Sequence, residues 1–417
     1  MQLVQALLLL ALALAGSHVS AFPPYKTLVA PITKDTTTSL YTTTLNFHEN
    51  YLVDLGAPFS WYSCQYKHPP VNCKAEPCMS ARSYLSPLCH PSSSSSNNRC
   101  QNCITTPVNP LTKTCALSDL TYKNVALYVT NGGHPTSSIT LNDIYMSCAP
   151  GYLLKSLPSG TTGLASLSWT SLALSTQLTP PRLGDNQEIR YKFAMCLPSV
   201  SNGKGTLFFG NGPYLFRSPA LVDVSRYLSY TPLVKNPKSS DYYIGLNSIS
   251  IAGKAIRFPR NAFSIDSFGR GGTKLSTVLP YTVLRSDVYD AFVREFKMAT
   301  RHIPQARKVK PFDYCLKSSA IASTRVGLQV PQISLQVASG KEWTIYGANS
   351  MKQVSKDVAC LAFVDGGKAA EQAVAIGSYQ MEDNFLVFDL AQSTLGFSSS
   401  LLGYATTCAN FDFTVKP

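Results

Sequence analysis

Apolar and polar residues alternate along most of this chain in short runs. Ser39–Phe47, Tyr51–Asp54, Val125–Thr130, Lys192–Leu197, Thr206–Phe209, Tyr242–Ile251, Gln332–Val337, Glu342–Tyr346 and Leu386–Leu390 read as strands. Clusters of Gly, Pro, Asn and Ser separate them, as tight turns require. A helical period is rare. Ser286 to about Arg301 puts Val288, Phe292 and Phe296 on one face, with Asp287 in the first turn and Ser286 able to cap. A shorter helix is predicted over Ser171–Leu178, and the turn-rich Ser201–Gly205 marks a lobe boundary near mid-chain. The pattern predicts an all-β chain with minor helices.

Composition narrows the classes. The 417 residues are 45% hydrophobic, enough for a large core, and only 14% charged, too few for a coiled coil or helical repeat. The length suits two domains or one bilobal domain. Lys and Arg total 36 against 23 Asp and Glu, a net charge of +13. The basic residues are scattered, which argues against nucleic acid and for an acidic polysaccharide or protein partner.

Residues 3–15 form an apolar run broken only by Gln5, too short to span a bilayer and suited to a signal peptide cut after Ala21. No later segment reaches membrane-spanning length. Twelve cysteines follow, at 64, 73, 78, 89, 100, 103, 115, 148, 196, 315, 360 and 408. An even count in a secreted chain predicts six disulfides. Cys100 and Cys103 have CxxC spacing, but no second ligand pair follows, and His68 and His90 lie in loops, so no metal site is expected. The region from 73 to 148 reads as a stapled, loop-rich insert, with Ser92–Ser96 as a low-complexity loop inside it. No Asn-x-Ser/Thr sequon occurs.

Two segments look like distant copies: 52–61, with Leu52-Val53-Asp54-Leu55-Gly56 followed by Trp61, and 271–281, with Gly272-Thr273-Lys274-Leu275-Ser276-Thr277. Asp54 and Ser276 are 222 residues apart (276 minus 54), about half the chain. Gly377, Phe388-Asp389 and Gly396-Phe397 close the sequence. In this order and spacing the motifs resemble the pepsin-like aspartic proteases over residues 27–417. Trp61 and Cys64 hold the places seven and ten residues after Asp54 that the plant members fill with Trp and Cys. The resemblance implies a bilobal pepsin-like aspartic protease fold with a cleft between an N-terminal lobe, 22–205, and a C-terminal lobe, 206–417.

Aspartic-protease chemistry needs two carboxylates that share one proton and activate a water. Alignment with the second motif puts the partner carboxylate at position 276, which is Ser276. Leu55 replaces a Thr whose hydroxyl braces the paired loops, Val278 replaces a small Gly, and the flap around Cys115–Asp119 lacks its Tyr. Asp266-Ser267-Phe268-Gly269 only superficially matches Asp-Ser-Gly, because the extra Phe breaks the turn, and it reads as a polar loop. No catalytic residue is therefore expected; Asp54 and Ser276 are vestigial dyad positions, and no Ser/His/Asp set or phosphate loop stands out.

A nearer resemblance rests on Asp54-Leu55-Gly56, 272–277, Gln380-Met381-Glu382-Asp383-Asn384 and Thr407-Cys408-Ala409-Asn410-Phe411. These are similar to a plant subgroup comprising carrot-type extracellular dermal glycoproteins, xyloglucan-specific endoglucanase inhibitors, wheat-type xylanase inhibitors and basic legume globulins. It implies a secreted, extracellular, catalytically inactive protein of the apoplast or cell wall. Such a protein would be a monomer without cofactors that blocks a microbial endoglucanase or xylanase with C-lobe loops. The endoglucanase-inhibiting branch uses two arginines; one matches Arg325, and the other falls at Ala405. An inserted His in the xylanase-inhibiting branch matches Tyr404. The family's disulfides map to Cys64–Cys148, Cys196–Cys408 and Cys315–Cys360. The remaining six, Cys73, Cys78, Cys89, Cys100, Cys103 and Cys115, pair among themselves in one of about 15 ways. A functioning endopeptidase and a storage or peptide-binding globulin are the alternatives.

Overall fold

A computed structural model describes residues 27–64, 68–89, 101–178 and 191–416. The expected signal peptide 1–21, His90, the expected serine loop 92–96 and Cys100 lie outside the described residues. The centre of the molecule is an antiparallel run of six strands in the order Thr27–Lys34, Lys204–Phe209, Lys192–Cys196, Phe385–Asp389, Thr394–Phe397 and Ser229–Val234. Three come from the first half of the chain and three from the second. The inner strands are continuous apolar runs rather than alternating ones, because both their faces are covered. Phe193 and Phe388 stack at 4.5 Å across the join, where they are directly paired in register. The expected lobe boundary at 205/206 lies inside one of these strands, Lys204–Phe209.

Each half repeats one parallel pairing beneath the cleft. Glu49–Asp54 runs parallel to Thr161–Ser166, and Thr273–Leu275 runs parallel to Val374–Ile376. Asp54 therefore ends one strand and Ser276 follows the other. This is the pepsin-like bilobal, mostly β architecture that the motif spacing implies.

Several elements are shorter than their patterns suggest. The strand expected over 39–47 spans Tyr41–Leu45, since Ser39, Asn46 and Phe47 have φ of 59°, 50° and 65°, a left-handed backbone that cannot continue a ladder. The run 242–251 divides at Gly245 into Tyr243–Ile244 and Leu246–Ile251. The helix expected over 171–178 is one turn, Leu174–Gln177, because Ala173 is extended.

The long helix spans Ser286–Ala299 and buries Val288, Phe292 and Phe296. Ser286 does not cap it. Arg285 occupies the cap position, while the Ser286 hydroxyl donates to Asp365 Oδ1 at 2.8 Å and Arg285 Nε donates to Asp287 Oδ1 at 2.6 Å.

Disulfides join Cys64–Cys148, Cys78–Cys103, Cys89–Cys115, Cys196–Cys408 and Cys315–Cys360, and Cys73 is also disulfide-bonded. Among the described residues no helix is long and apolar enough to cross a membrane, and no cluster of His, Cys, Asp and Glu could hold a metal ion.

Candidate functional site

Asp54 and Ser276 line one cleft of about 730 Å³. Asp54 is 6% exposed, and its Oδ1 accepts the Gly56 N–H at 2.8 Å. Burial pushes its carboxyl up to about 6; the Gly56 N–H and the Lys274 ammonium oppose this, and the Asp241 carboxylate adds to it. Ser276 is equally buried, and its backbone N–H donates to the Ile376 carbonyl at 2.9 Å. The loop brace survives on one side only. Thr277 Oγ1 donates to the Val53 carbonyl at 2.7 Å and accepts the Leu55 N–H at 3.3 Å, whereas the Leu55 side chain offers no hydroxyl in return and packs into the core. Val278 packs beside Trp61, Ala57 and Leu111.

The floor also carries two charged groups that the motif comparison did not single out. Lys274 Nζ lies 3.3 Å from Asp241 Oδ2, which also accepts the Ser239 hydroxyl at 2.7 Å. Burial draws the Lys274 ammonium down, and Asp241 with its neighbours more than offsets this, so its pKa is raised. Asp241 reaches directly over the Asp54 loop: a Cβ on Gly56 would stand 2.0 Å from Asp241 Oδ1 and would displace that carboxylate. Ser240 Oγ closes the contact by donating to the Gly56 carbonyl. Lys274 had a signal in the sequence, a charge in a buried strand beside Ser276. Asp241 had none, because it lies 33 residues away and only the fold brings it there.

Opposite this floor, the cleft is bounded by Thr106, Val108, Pro110 and Lys113. Trp61 also lines the cleft, and its Nε1 is buried without a hydrogen-bond partner among the described residues. The turn at Asp266 is a polar loop as expected: Asp266 Oδ1 accepts the N–H groups of Phe268 and Arg270 at 2.9 and 2.8 Å.

The other predicted residues sit elsewhere on the second half. Arg325 is exposed at the tip of a hairpin whose strands are Ser323–Thr324 and Gly327–Leu328. The hairpin is anchored. Thr324 Oγ1 donates to the Gly327 carbonyl at 2.8 Å, and the Ala348 N–H donates to the Val326 carbonyl at 2.8 Å. Gly347 lets it dock, since a Cβ there would meet the Leu328 carbonyl at 1.9 Å. The turn 401–405 lies near the same hairpin: a Cβ on Gly403 would stand 3.9 Å from Val326 Cγ1, and Leu402 lines one hollow with Ser323 and Gly327. Tyr404 is 43% exposed and stacks on Tyr227 at 3.7 Å, and its carbonyl accepts the Ser218 hydroxyl at 3.0 Å. Ala405 is exposed in a left-handed conformation, φ 58° and ψ 29°. Arg325, Tyr404 and Ala405 thus share one surface, apart from the cleft that holds Asp54 and Ser276.

Comparison with known proteins agrees with the fold. The chain is 38% identical to the probable aspartic proteinase GIP2 of Nicotiana benthamiana, over 99% of this chain and 97% of that protein. It is 38% identical to the chitinase CLP of Oryza sativa subsp. japonica, over 94% of this chain and 92% of that one. The crystal structure of edgp matches with a TM-score of 0.83 and 37% identity, covering 93% of this chain and 98% of that one. Residues 37–211 match the xylanase inhibitor N-terminal family and residues 241–399 the xylanase inhibitor C-terminal family. The chain belongs to the xylanase inhibitor family, on a pepsin-like fold.

Proposed function

We propose that this chain is a secreted, catalytically inactive pepsin-like protein that inhibits a microbial endoglucanase or xylanase with loops of its second half. The observation that carries the reading is Arg325, held out on an anchored hairpin beside the 401–405 turn. Glycoside hydrolases place two carboxylates across an open cleft. A guanidinium matches a carboxylate through paired charged hydrogen bonds, and a rigid hairpin presents it with little ordering cost. The net charge of +13 favours approach to an acidic cleft. Inactivity as a peptidase is supported by Ser276 standing opposite Asp54 and by Asp241 lying over the Asp54 loop, held by Lys274. A hydroxyl at 276 cannot share a proton with Asp54 as a second carboxylate would.

The test is inhibition of a xyloglucan-active endoglucanase by four proteins. Arg325→Ala should weaken inhibition by about 30- to 1000-fold. Arg325→Lys should recover little, since Lys lacks the fork. Ala405→Arg should strengthen inhibition, because position 405 faces the same surface and already tolerates its backbone conformation. Equal inhibition constants for wild type and Arg325→Ala would remove Arg325 from the mechanism.

A further inference from the structure

Behind the Arg325 hairpin lies a hollow of about 350 Å³, lined by Lys34, Ser323, Gly327, Lys352, Tyr379 and Leu402 among others. Lys352, half-buried on the strand Met351–Ser355, brings to it an ammonium that makes no ion pair among the described residues. The nearby carboxylate of Glu382 is taken: its Oε1 accepts Lys34 Nζ at 2.6 Å and the Tyr41 hydroxyl at 2.7 Å. Asp383, also on the hollow, is buried and accepts the Cys408 N–H at 2.9 Å. Among the described residues no carboxylate lies within 4.0 Å of Lys352 Nζ. What the ammonium has is the Tyr379 ring, with 5.3 Å to its centroid. Burial and the like charge of Lys34 hold its pKa below the ordinary lysine value, and Glu382 only partly opposes them.

A partly buried cation without a counter-ion is unfavourable in the free protein and gains most from an anion delivered from outside. The geometry says where that anion comes from. The hollow is walled by the base of the Arg325 hairpin, Ser323 and Gly327, and by Leu402 of the 401–405 turn. The hairpin that carries Arg325 and the turn that carries position 405 both line it, so a partner held by them lies beside it. The Tyr379 ring constrains the lysine stem beforehand, which lowers the ordering cost of pairing.

We propose that Lys352 is a second cationic anchor of the partner-binding face. It seats a carboxylate from the rim of an acidic-cleft glycoside hydrolase between the 323–328 hairpin and the 401–405 turn. The inference rests on the inhibitor reading above and adds to it a residue and a contact that the motif comparison does not include.

The experiment uses the full-length protein with the same endoglucanase. Lys352→Met keeps the stem and removes the charge. It should raise the inhibition constant by about 10- to 100-fold, with the thermal midpoint no lower than that of the wild type. In parallel, acetic anhydride labelling of wild-type Lys352, read by mass spectrometry, should slow when the enzyme is bound. This arm decides the matter should the variant fold poorly. Weakening by Arg325→Ala with no effect of Lys352→Met and no protection of Lys352 would overturn this inference and leave the inhibitor reading standing. Failure of the wild type to inhibit either an endoglucanase or a xylanase would overturn both.

Discussion

Asp54 keeps a carboxylate on a floor where the facing position offers only the Ser276 hydroxyl. Its neighbours reshape what that carboxylate does. Desolvation favours its protonated form, so its pKa is raised to about 6. A carboxyl raised in the folded state contributes stability that is fully present below its unfolded value and lost as pH rises through the folded value. Asp54→Asn, neutral at every pH, should therefore stabilise the protein by about 1–3 kcal/mol at pH 7.5. The gain should shrink through about pH 6 and vanish near pH 4. Urea denaturation at three pH values reads this directly, and a pH-independent difference would show that Asp54 is not the titrating group. Asp54 and Ser276 could be picked out from their motifs. Asp241 could not, since a Ser-Ser-Asp stretch in a polar loop carries no mark of the carboxylate it will meet.

Among the elements, the ion pair between Lys34 and Glu382 links the first strand to the segment after the short helix Ser378–Met381. Both side chains are more than 90% buried, and Glu382 also takes the Tyr41 hydroxyl. Removing one member of such a pair leaves a charge with no compensation. Lys34→Met should cost about 3–5 kcal/mol at pH 7.5, and adding Glu382→Gln should recover most of it. Burial already raises the Glu382 pKa, and losing Lys34 raises it further. The cost should therefore fall as pH drops and Glu382 protonates. Denaturation of the two variants at pH 4.5 and 7.5 checks both statements, and an equal cost at both pH values would assign the loss to packing instead. The alternation of residues predicted the strand of Tyr41 but not the first strand, Thr27–Lys34. The boundaries depended on local backbone: three left-handed residues around the strand Tyr41–Leu45, and Arg285 rather than Ser286 at the start of the long helix.

For the whole molecule, the six-stranded centre and the bridge Cys196–Cys408 hold the two halves of the chain together. That bridge spans 212 residues and ties the strand Lys192–Cys196 to the turn Cys408–Asn410. Beside it Phe411 packs edge-on to Phe208 at 5.3 Å. Replacing both cysteines with Ala should lower stability by about 2–5 kcal/mol. The end of the chain should then become the first site of limited proteolysis. Unchanged denaturation midpoints would mean that the aromatic packing alone holds this end. The neighbourhood of Arg325 depends on the same scale of organisation. The 323–328 hairpin and the 401–405 turn lie almost eighty residues apart in sequence; Gly347 lets the hairpin dock, and Val326 comes near Gly403 of the turn.

Read alone, the sequence was enough for the mostly β class, the pepsin-like resemblance and the two motif positions at 54 and 276. Each of these rests on local alternation or on residues close together in the chain, where the physical signal is short-range. Tertiary structure decided the rest. It laid Asp241 over the Asp54 loop beside Lys274, set the hairpin of Arg325 next to the turn 401–405, and left Lys352 without an ion pair among the described residues. Those features depend on which distant groups come within a few ångströms, and on how far burial strips each charge of water.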